Sequence, residues 1–335
     1  MPIAVTGSIA IDHLMTFPGR FADQLLADRL DRISLSFLVD DLDIRRGGVA
    51  ANICFGLGVL GLRPVLVGAV GEDFADYRSW LERHGVDTDS VHVSQLKHTA
   101  RFLCTTDADY NQLASFYTGA MAEAREIELG PIAARVGRLD LVVISPNDPA
   151  AMLRHTEECR DRGIPFAADP SQQLARMEPT EIRQLIDGAA YLFTNEYEEG
   201  LIEAKTGWTS TEVLARVGVR VTTLGAKGVV VQERGQPELR VAVVPEETRA
   251  DPTGVGDAFR AGFLAGVAWG VGRERAAQLG SLLATYVLES LGPQEYVVSP
   301  TPFLARLARV YGEAAAADVR PHLAPVSGSG SGSAG

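Results

Sequence analysis

The sequence predicts an α/β fold in which a doubly wound sheet carries helices on both faces and a small β-sheet forms a lid. Short apolar segments, typical of buried strands, alternate with helical segments along most of the chain. Most of these strands end in polar turns, where open α/β sheets bind their ligands. Two regions break the alternation and read as half-buried strands, so we expect one lid that is discontinuous in sequence.

The predicted boundaries follow from this pattern. The α/β core takes residues 1–12, 46–95 and 121–325, and the β lid takes residues 13–45 and 96–120. The Ser/Gly tail at residues 326–335 has the composition of a flexible linker and is excluded from the fold.

The composition is that of an ordinary globular protein. The chain has 335 residues, of which 46% are hydrophobic and 22% charged, and a formal net charge of -12. This acidic balance argues against a nucleic-acid or anionic membrane partner. Neither a membrane span nor a secretory signal is evident, so we expect a cytoplasmic protein. The three cysteines lack metal-ligand spacing and are expected to be buried thiols.

The first strand is predicted at residues 2–12, where apolar residues lead into a small-residue turn. A strand of this kind suits the centre of a parallel sheet, which places Ser8 and Asp12 at the ligand-binding edge. A capping serine and a turn aspartate fit the same pattern. Residues 33–39 alternate as a lid strand does, and an apolar face on so small a sheet needs a partner.

The next units are a Gly-Gly pair, Gly47–Gly48, ahead of a helix of small residues, and a core strand at residues 64–73. Residues 99–107 and 112–117 predict two further lid strands joined by a polar hairpin. Phe102 and Phe116 lie on these strands. They either stack on a flat base, which contributes roughly 1–3 kcal/mol, or belong to the lid core.

Three further core strands, within residues 139–148, 164–173 and 191–198, end in polar turns. Gln172 and Gln173 follow the second of them and either hydrogen-bond a ligand or form a polar surface turn. Asn195 and Glu198 follow the third and share one side of a helical first turn. They form either a capping box or a water-mediated Mg²⁺ site.

The loop at residues 250–263 carries the strongest chemical signal. Gly254 and Gly256 bracket Val255, and Asp257 follows, ahead of a run with helical character. Glycines permit positive φ and close approach to a ligand, and the amides at a helix start bind anions. A carboxylate beside an anion site is repulsive unless it has another task, such as accepting a proton from a hydroxyl that attacks a phosphate. A plain glycine-rich helix start is the alternative.

The segment D-P-T-G-V-G-D-A-F-R-A-G-F resembles the second signature of the ribokinase (PfkB) family of sugar and nucleoside kinases, with Pro252 and Val255 as its departures. The run from Gly47 to Asn52 is similar to the first signature, G-G-x-x-x-N. The resemblance extends from about residue 3 to about residue 323. It implies a ribokinase-like fold, ATP and Mg²⁺ as cofactors, and phosphoryl transfer with Asp257 as the base. The loop residues Gly254, Val255 and Gly256 would hold the γ-phosphate.

Five stretches, among them H-T-A-R-F and A-A-D-P-S-Q-Q-L, resemble the adenosine-kinase branch of this family in mycobacteria and their actinobacterial relatives. This implies the 5′-phosphorylation of adenosine to AMP, a reaction of purine salvage. The residues thereby assigned to the nucleoside are Ser8, Asp12, Ser36, Gly48, Asn52, Phe102, Phe116, Gln172 and Gln173. Those assigned to ATP are Asn195, Thr223, Gly225, Lys227, Gly228 and Thr253, and those assigned to Mg²⁺, through water, are Asn195 and Glu198.

Other interpretations stay open. Thr118 stands where the adenosine-kinase branch has proline, near the expected base pocket, so inosine, guanosine, ribose and fructose 6-phosphate are alternative acceptors. A non-catalytic nucleoside-binding regulator and a module whose lid serves only assembly are the alternatives from other classes. Relatives in the family pair through their lids, which implies a homodimer here.

Overall fold

The computed structural model describes residues 1–24 and 36–323. In chain order the strands are β1 (Ile3–Thr6), β2 (Ala10–Thr16), β3 (Asp41–Gly47), β4 (Val65–Val67), β5 (Ala69–Gly71), β6 (His92–Ser94), β7 (Ala100–Thr106), β8 (Gln112–Tyr117), β9 (Leu141–Ile144), β10 (Phe166–Ala168), β11 (Tyr191–Asn195), β12 (Val219–Thr223), β13 (Val229–Glu233) and β14 (Leu239–Val241). The α-helices are α1 (Phe21–Gln24), α2 (Val49–Val59), α3 (Ala75–Arg83), α4 (Leu129–Val136), α5 (Pro149–Asp161), α6 (Pro179–Ile186), α7 (Glu196–Thr206), α8 (Ser210–Arg216), α9 (Val255–Trp269), α10 (Arg273–Leu288), α11 (Pro300–Tyr311) and α12 (Glu313–Val319).

The core is an eight-stranded sheet with the order β14-β13-β12-β11-β10-β9-β1-β4. Pairing is parallel from β4 to β12, and β13 and β14 join antiparallel at one edge. Side chains of β1 alternate between two apolar layers, with Ile3 and Val5 in one and Ala4 in the other. Helices α2, α9 and α10 supply the first layer, and α4, α5 and α6 supply the second. The predicted doubly wound α/β sheet is therefore confirmed.

A second sheet of four strands, in the order β3-β2-β7-β8, stands apart from the core. We call it the lid sheet. Its register places Asp12, Phe102 and Phe116 in one row across β2, β7 and β8, and therefore on one face. Leu42 and Leu113 lie on the opposite face and are exposed. One face thus points polar and aromatic groups inward, and the other presents apolar side chains to solvent.

Three strand predictions need correction. The strand predicted at residues 2–12 divides, because the chain leaves the core sheet after Thr6 and enters the lid sheet at Ala10. The strand predicted at residues 64–73 divides likewise into β4 and β5, and β5 pairs with β6 in a separate two-stranded sheet. Gly68 lies at that break, where a Cβ would be 2.8 Å from the carbonyl oxygen of Gly7. Close backbone approach, which local hydropathy does not report, decides both breaks.

The lid strand predicted at residues 33–39 is also wrong where it can be checked. Residues 33–35 lie outside the described part of the chain, and residues 36–39 form no strand. The strand that pairs with β2 is Asp41–Gly47, whose alternating Asp-Leu-Asp-Ile sequence puts Leu42 and Ile44 on the outer face. Within the lid sheet, β2 begins at Ala10 and β3 ends at Gly47, which lie outside the lid boundaries of 13 and 45 expected from the sequence.

The three cysteines are free and buried, as expected. Within residues 1–24 and 36–323, no helix combines the length and the hydropathy needed to cross a bilayer.

Candidate active site

The start of helix α9 has the backbone geometry that the predicted anion-binding loop requires. Gly254 is the residue before the helix and adopts a left-handed conformation with φ of 79°. A Cβ on Gly254 would lie 2.4 Å from the Cβ of Pro293, so only glycine fits. The amides of Val255, Gly256 and Asp257 belong to the first turn of the helix and have no acceptor within it. The loop therefore offers backbone N–H groups at the positive end of a helix, which suits a phosphate.

Asp257 lies at the rim of this loop. Its Oδ2 accepts a hydrogen bond of 2.8 Å from Nδ2 of Asn52. Burial raises the pKa of Asp257 to about 7, against the hydrogen bond from Asn52 and the charge of Arg260, while Asp169 adds to the rise. A carboxyl group with a pKa near neutrality is suited to accept a proton from a hydroxyl.

A cleft of about 460 Å³ lies between the lid sheet and the core, and Asp257 lines it. We call it the acceptor cleft. It is lined by eight of the nine predicted nucleoside residues: Ser8, Asp12, Gly48, Asn52, Phe102, Phe116, Gln172 and Gln173. Ser36 is the exception, because it is exposed in the segment before β3 and does not line the cleft. The sequence thus located this set almost completely, although its members come from five separate parts of the chain.

Local structure explains why Ser8 and Gly48 occupy their positions. Ser8 Oγ accepts a hydrogen bond of 3.0 Å from the amide of Val49 and so caps the start of α2. Gly48 has a φ of 94°, and a Cβ there would lie 2.6 Å from backbone atoms of Ser8, Ile9 and Ala10. Glycine is needed because the end of β1, the start of β2 and the start of α2 meet at this point.

The two aromatic residues of the cleft form a directly opposed cross-strand pair, Phe102 on β7 and Phe116 on β8. Phe116 is 45% exposed, which leaves its ring free for a ligand. Gln172 and Gln173 differ from each other. Gln173 is buried and its Nε2 donates to the carbonyl oxygen of Asn147, whereas Gln172 is exposed and accepts from Ser171.

A second cleft, of about 430 Å³, lies on the other side of the loop. Thr223, Gly225 and Gly228, all predicted to bind ATP, line it together with Gly256. One wall of this cleft is mostly apolar and comes from Val243, Val244, Phe259, Ala284 and Leu288, with the hydroxyl-bearing residues Ser281 and Thr285 among them. Helix α10 contributes part of this wall. Val243 and Val244 were missed, although a Val-Ala-Val-Val run marks them in the sequence. The loop before α9 separates the two clefts and contributes residues to both.

Three predicted ATP-binding residues lie elsewhere. Lys227 is exposed and its Nζ lies 3.6 Å from Glu196, outside the second cleft, because an exposed carboxylate is its nearest charge partner. Thr253 lines the acceptor cleft instead of the second cleft. Asn195 lines neither, since its side chain caps helix α7.

The predicted metal residues form a capping box. Asn195 Oδ1 accepts from the amide of Glu198, and Glu198 Oε2 accepts from the amide of Asn195, both at 2.8 Å. In the described part of the chain, no three His, Cys, Asp or Glu residues converge as a metal cage. Asn195 Oδ1 and Glu198 Oε2 are already used by this capping box, so the pair does not fit an ion held by a protein cage. Mg²⁺ retains several waters and binds substrate phosphates, and Glu198 Oε1 is the oxygen of the pair left for a contact through water.

Two arginines of the site were not singled out from the sequence. Arg176 lines the acceptor cleft, and its guanidinium makes no hydrogen bond or ion pair with any residue in the described ranges. Arg45 on β3 donates to Asp251 Oδ2 at 2.6 Å, and Asp251 Oδ1 accepts from the amide of Thr253 at 2.9 Å. Arg45 thereby connects the lid sheet to the anion-binding loop. The sequence offers no local signal for this contact, which spans 206 positions.

Comparison with known proteins identifies a matching family and several similar kinases. The model of the pfkB family of carbohydrate kinases matches residues 6–301. A nucleoside kinase of Methanothermobacter thermautotrophicus is 31% identical over 252 residues, which cover 74% of this chain and 80% of that protein. The structure of Burkholderia thailandensis nucleoside kinase in complex with inosine is 32% identical, with a TM-score of 0.81, and the match covers 92% of this chain and 99% of that one.

A further solved structure bears on the fold alone. The nucleoside kinase of Methanocaldococcus jannaschii, described as an archaeal member of the ribokinase family, is 24% identical, with a TM-score of 0.80 over 92% of this chain and 99% of that one. The predicted ribokinase-like fold is confirmed. These relatives are named nucleoside kinases, so the narrower resemblance to actinobacterial adenosine kinases stays a prediction.

Proposed function

The chain belongs to the pfkB family of carbohydrate kinases, and on that premise we propose that it transfers the γ-phosphoryl group of ATP to the 5′-hydroxyl of adenosine. The products are AMP and ADP. The observation that carries the proposal is the position of Asp257. It lies at the loop that separates the acceptor cleft from the second cleft, where an attacking hydroxyl and a terminal phosphate would meet.

The proposed chemistry uses this arrangement directly. Asp257 accepts the proton of the 5′-hydroxyl as the oxygen attacks phosphorus, and the bond to the leaving ADP oxygen breaks. The amides of Val255 and Gly256 stabilise the charge on the transferring group. Mg²⁺ would neutralise phosphate charge, with Glu198 as the residue that would hold it through water. The lid sheet covers the acceptor and excludes water, which would otherwise compete as the nucleophile.

A 6-oxopurine nucleoside is the second candidate acceptor, and two observations favour it. The Burkholderia relative was solved with inosine. Arg176, which offers only donors, lines the acceptor cleft and has no hydrogen-bond or ion-pair partner among residues 1–24 and 36–323. A guanidinium pairs well with the O6 and N7 acceptors of a 6-oxopurine, whereas the N6 amino group of adenine is itself a donor.

An acceptor panel separates these candidates. With ATP and purified protein, we expect adenosine to give the highest kcat/KM among adenosine, inosine, guanosine, ribose and fructose 6-phosphate, measured as ADP release. A higher value for inosine or guanosine would replace adenosine, and a preference for either sugar would contradict a nucleoside acceptor altogether. Absence of ADP release with every acceptor would favour a non-catalytic nucleoside-binding regulator.

The Arg176→Met variant adds a second arm to the panel. If Arg176 reads O6 and N7, the variant loses about 5- to 150-fold in kcat/KM for inosine, the equivalent of roughly 1–3 kcal/mol, and changes little for adenosine. Arg234→Met is the matched control, because Arg234 is exposed in the turn after β13, outside both clefts.

We further propose that the protein forms a homodimer through the lid sheet. Leu42, Ile44, Leu113 and Tyr117 lie on the face opposite the acceptor cleft and are each 43–58% exposed. A cluster of exposed apolar side chains on a small sheet is typical of an interface. Sedimentation velocity should show a dimer for the wild type and a monomer for Ile44→Lys. Leu96→Lys, at a 91% exposed leucine outside the lid sheet, should leave the dimer intact. A monomeric wild type would contradict the proposal.

A further inference from the structure

A chain of buried hydrogen bonds connects the Gly-Gly pair to the proposed base. Tyr77 Oη donates to the carbonyl oxygen of Gly47 at 2.9 Å. Gln294 Nε2 donates both to Tyr77 Oη, at 2.5 Å, and to Asn52 Oδ1, at 2.9 Å. Asn52 Nδ2 then donates to Asp257 Oδ2 at 2.8 Å. We call the carbonyl of Gly47 and these four side chains the relay, with the carbonyl as its first member.

The direction of every bond in the relay follows from its first member. A backbone carbonyl only accepts, so Tyr77 must use its single proton on Gly47 and accept from its other neighbour. Gln294 therefore turns its amide nitrogen, and not its oxygen, toward Tyr77. Asn52 Oδ1 accepts from the same nitrogen, which leaves Asn52 Nδ2 facing the carboxyl group of Asp257.

Burial restricts the groups of the relay to hydrogen bonds with one another. Gln294 is 1% exposed, Tyr77 is 3% and Asn52 is 6%, so water does not compete for these groups. Burial also raises the pKa of Tyr77 far above its ordinary value, which keeps the hydroxyl protonated as a donor. The side-chain oxygen of Gln294 is buried without a partner among the described residues. An unpaired buried oxygen costs stability. The amide nevertheless keeps this orientation because its nitrogen donates two hydrogen bonds, one to Tyr77 and one to Asn52.

We propose that Gln294 is a positioning residue for phosphoryl transfer, because it holds Asn52 with its amide protons toward Asp257. Oδ2 of Asp257 is then occupied as an acceptor, and Oδ1 is the oxygen left to take the proton of the acceptor hydroxyl. This inference rests on the proposed function, in which Asp257 is the base. It also gives Asn52 a second role beside the predicted contact with ribose.

The relay has a further consequence for the lid. Its first member, the carbonyl of Gly47, lies at the end of β3 and next to Gly48, whose φ of 94° turns the chain from the lid sheet into α2. A shift of the lid strand at this point moves the acceptor of Tyr77 and so reaches Asp257 through the amides of Gln294 and Asn52. The position of the lid and the orientation of the base are thereby connected.

Three variants test the relay. Gln294→Glu keeps the shape but offers only acceptors, so Asn52 must either turn its oxygen toward Asp257 or lose its partner. Gln294→Met keeps the length and removes the hydrogen bonds. Tyr77→Phe retains the bond between Gln294 and Asn52 but removes the hydroxyl that orients the amide of Gln294, so it is the intermediate case. The other titratable groups facing Asp257, namely Arg260, Asp169 and Tyr296, are unchanged in all three.

In Gln294→Glu we expect kcat to fall at least about 10-fold, with KM for the nucleoside within about 3-fold of wild type. The acid limb of the kcat–pH profile should move upward by about one pH unit, because the carboxylate of Asp257 loses a donor and gains a negative neighbour. Gln294→Met should lower kcat with a smaller shift, and Tyr77→Phe should lower kcat in the same direction but by less than either Gln294 variant. A folded Gln294→Glu or Gln294→Met variant with the wild-type acid limb and kcat would overturn the proposal.

A measurement without turnover separates this inference from the proposed function. The ¹³C resonance of the Asp257 carboxyl, assigned by its loss in Asp257→Asn, reports the titration of that group directly in the ligand-free protein. Its midpoint should rise in Gln294→Glu even if no acceptor is phosphorylated. An unchanged midpoint in both Gln294 variants, with native circular dichroism, would show that the relay does not act on Asp257.

Discussion

Replacement of Asp257 by asparagine is expected to lower kcat by about 10²- to 10⁴-fold, the usual contribution of a positioned general base. Asparagine has the same shape, and its oxygen still accepts the hydrogen bond that Asn52 donates to Asp257. What it lacks is the capacity to take up a proton. Binding of adenosine should therefore persist, since the residues that line the acceptor cleft are untouched.

Steady-state ADP release gives kcat, and isothermal titration calorimetry gives the affinity for adenosine. Asp23→Asn is the control, because Asp23 is an exposed carboxylate in α1, outside both clefts. Turnover near the wild-type value in Asp257→Asn would remove the proposed base. Loss of adenosine affinity together with kcat would instead assign Asp257 to acceptor binding.

The raised pKa of Asp257 predicts a second effect of this substitution: it lowers kcat, but it should stabilise the fold at high pH. The folded protein holds the proton up to a pH of about 7, whereas the unfolded chain releases it near the ordinary value of 3.8. The folded state thus binds the proton more tightly, so wild-type stability falls as the pH rises between these values. Asp257→Asn lacks this loss and should melt at a higher temperature than wild type at pH 8, with the difference shrinking as the pH falls below 7. Wild-type kcat should decline over the same acidic range as the base becomes protonated.

The sequence was most informative where chemistry is concentrated in short segments. Ser8, Gly48 and the loop from Gly254 to Asp257 were found because glycine patterns and strand ends mark them locally, and because the family resemblance added roles. Parallel strands bring their carboxyl ends to one edge of a sheet, so residues placed there by pattern meet in space. The alternating pattern placed Phe102 and Phe116 on two lid strands joined by a hairpin, and the antiparallel register then puts them opposite each other.

Other features were not predictable, for physical reasons. The alternating pattern in residues 33–39 resembles that of β3, but only the pairing with β2 decides which segment becomes the strand. Lys227 is beside a glycine turn, yet its side chain forms an ion pair with Glu196. Asn195 and Glu198 have the same spacing in a capping box and in a metal site, so the sequence left both open. The contact of Gln294 with Asn52 spans 242 positions and leaves no local trace.

A second large effect is expected from the buried ion pair beneath the anion-binding loop. Asp169, at the end of β10, is fully buried, and its Oδ1 accepts from Nη2 of Arg260 at 2.6 Å. Arg260 is 9% exposed and also donates to the carbonyl oxygen of Gly256 at 3.0 Å. The pair therefore attaches the first turn of α9 to the core sheet. Asp169→Asn leaves the guanidinium buried without its counter-charge, and we expect the free energy of unfolding to fall by about 3–5 kcal/mol.

Urea denaturation measures this loss, and the exposed pair of Arg20 and Asp109 provides a matched control. That pair has a similar N–O distance of 2.7 Å, but its side chains are 55% and 45% exposed, so Asp109→Asn should cost at most about 1 kcal/mol.

The double variant Asp169→Leu/Arg260→Met should recover much of the stability, because apolar side chains of similar volume often replace a buried ion pair without loss. It should not recover kcat, since the link from Arg260 to Gly256 is gone and the loop that holds the phosphate is no longer attached to the sheet. Equal losses for Asp169→Asn and Asp109→Asn would contradict this account. Full activity in the double variant would show that the loop keeps its geometry without the pair.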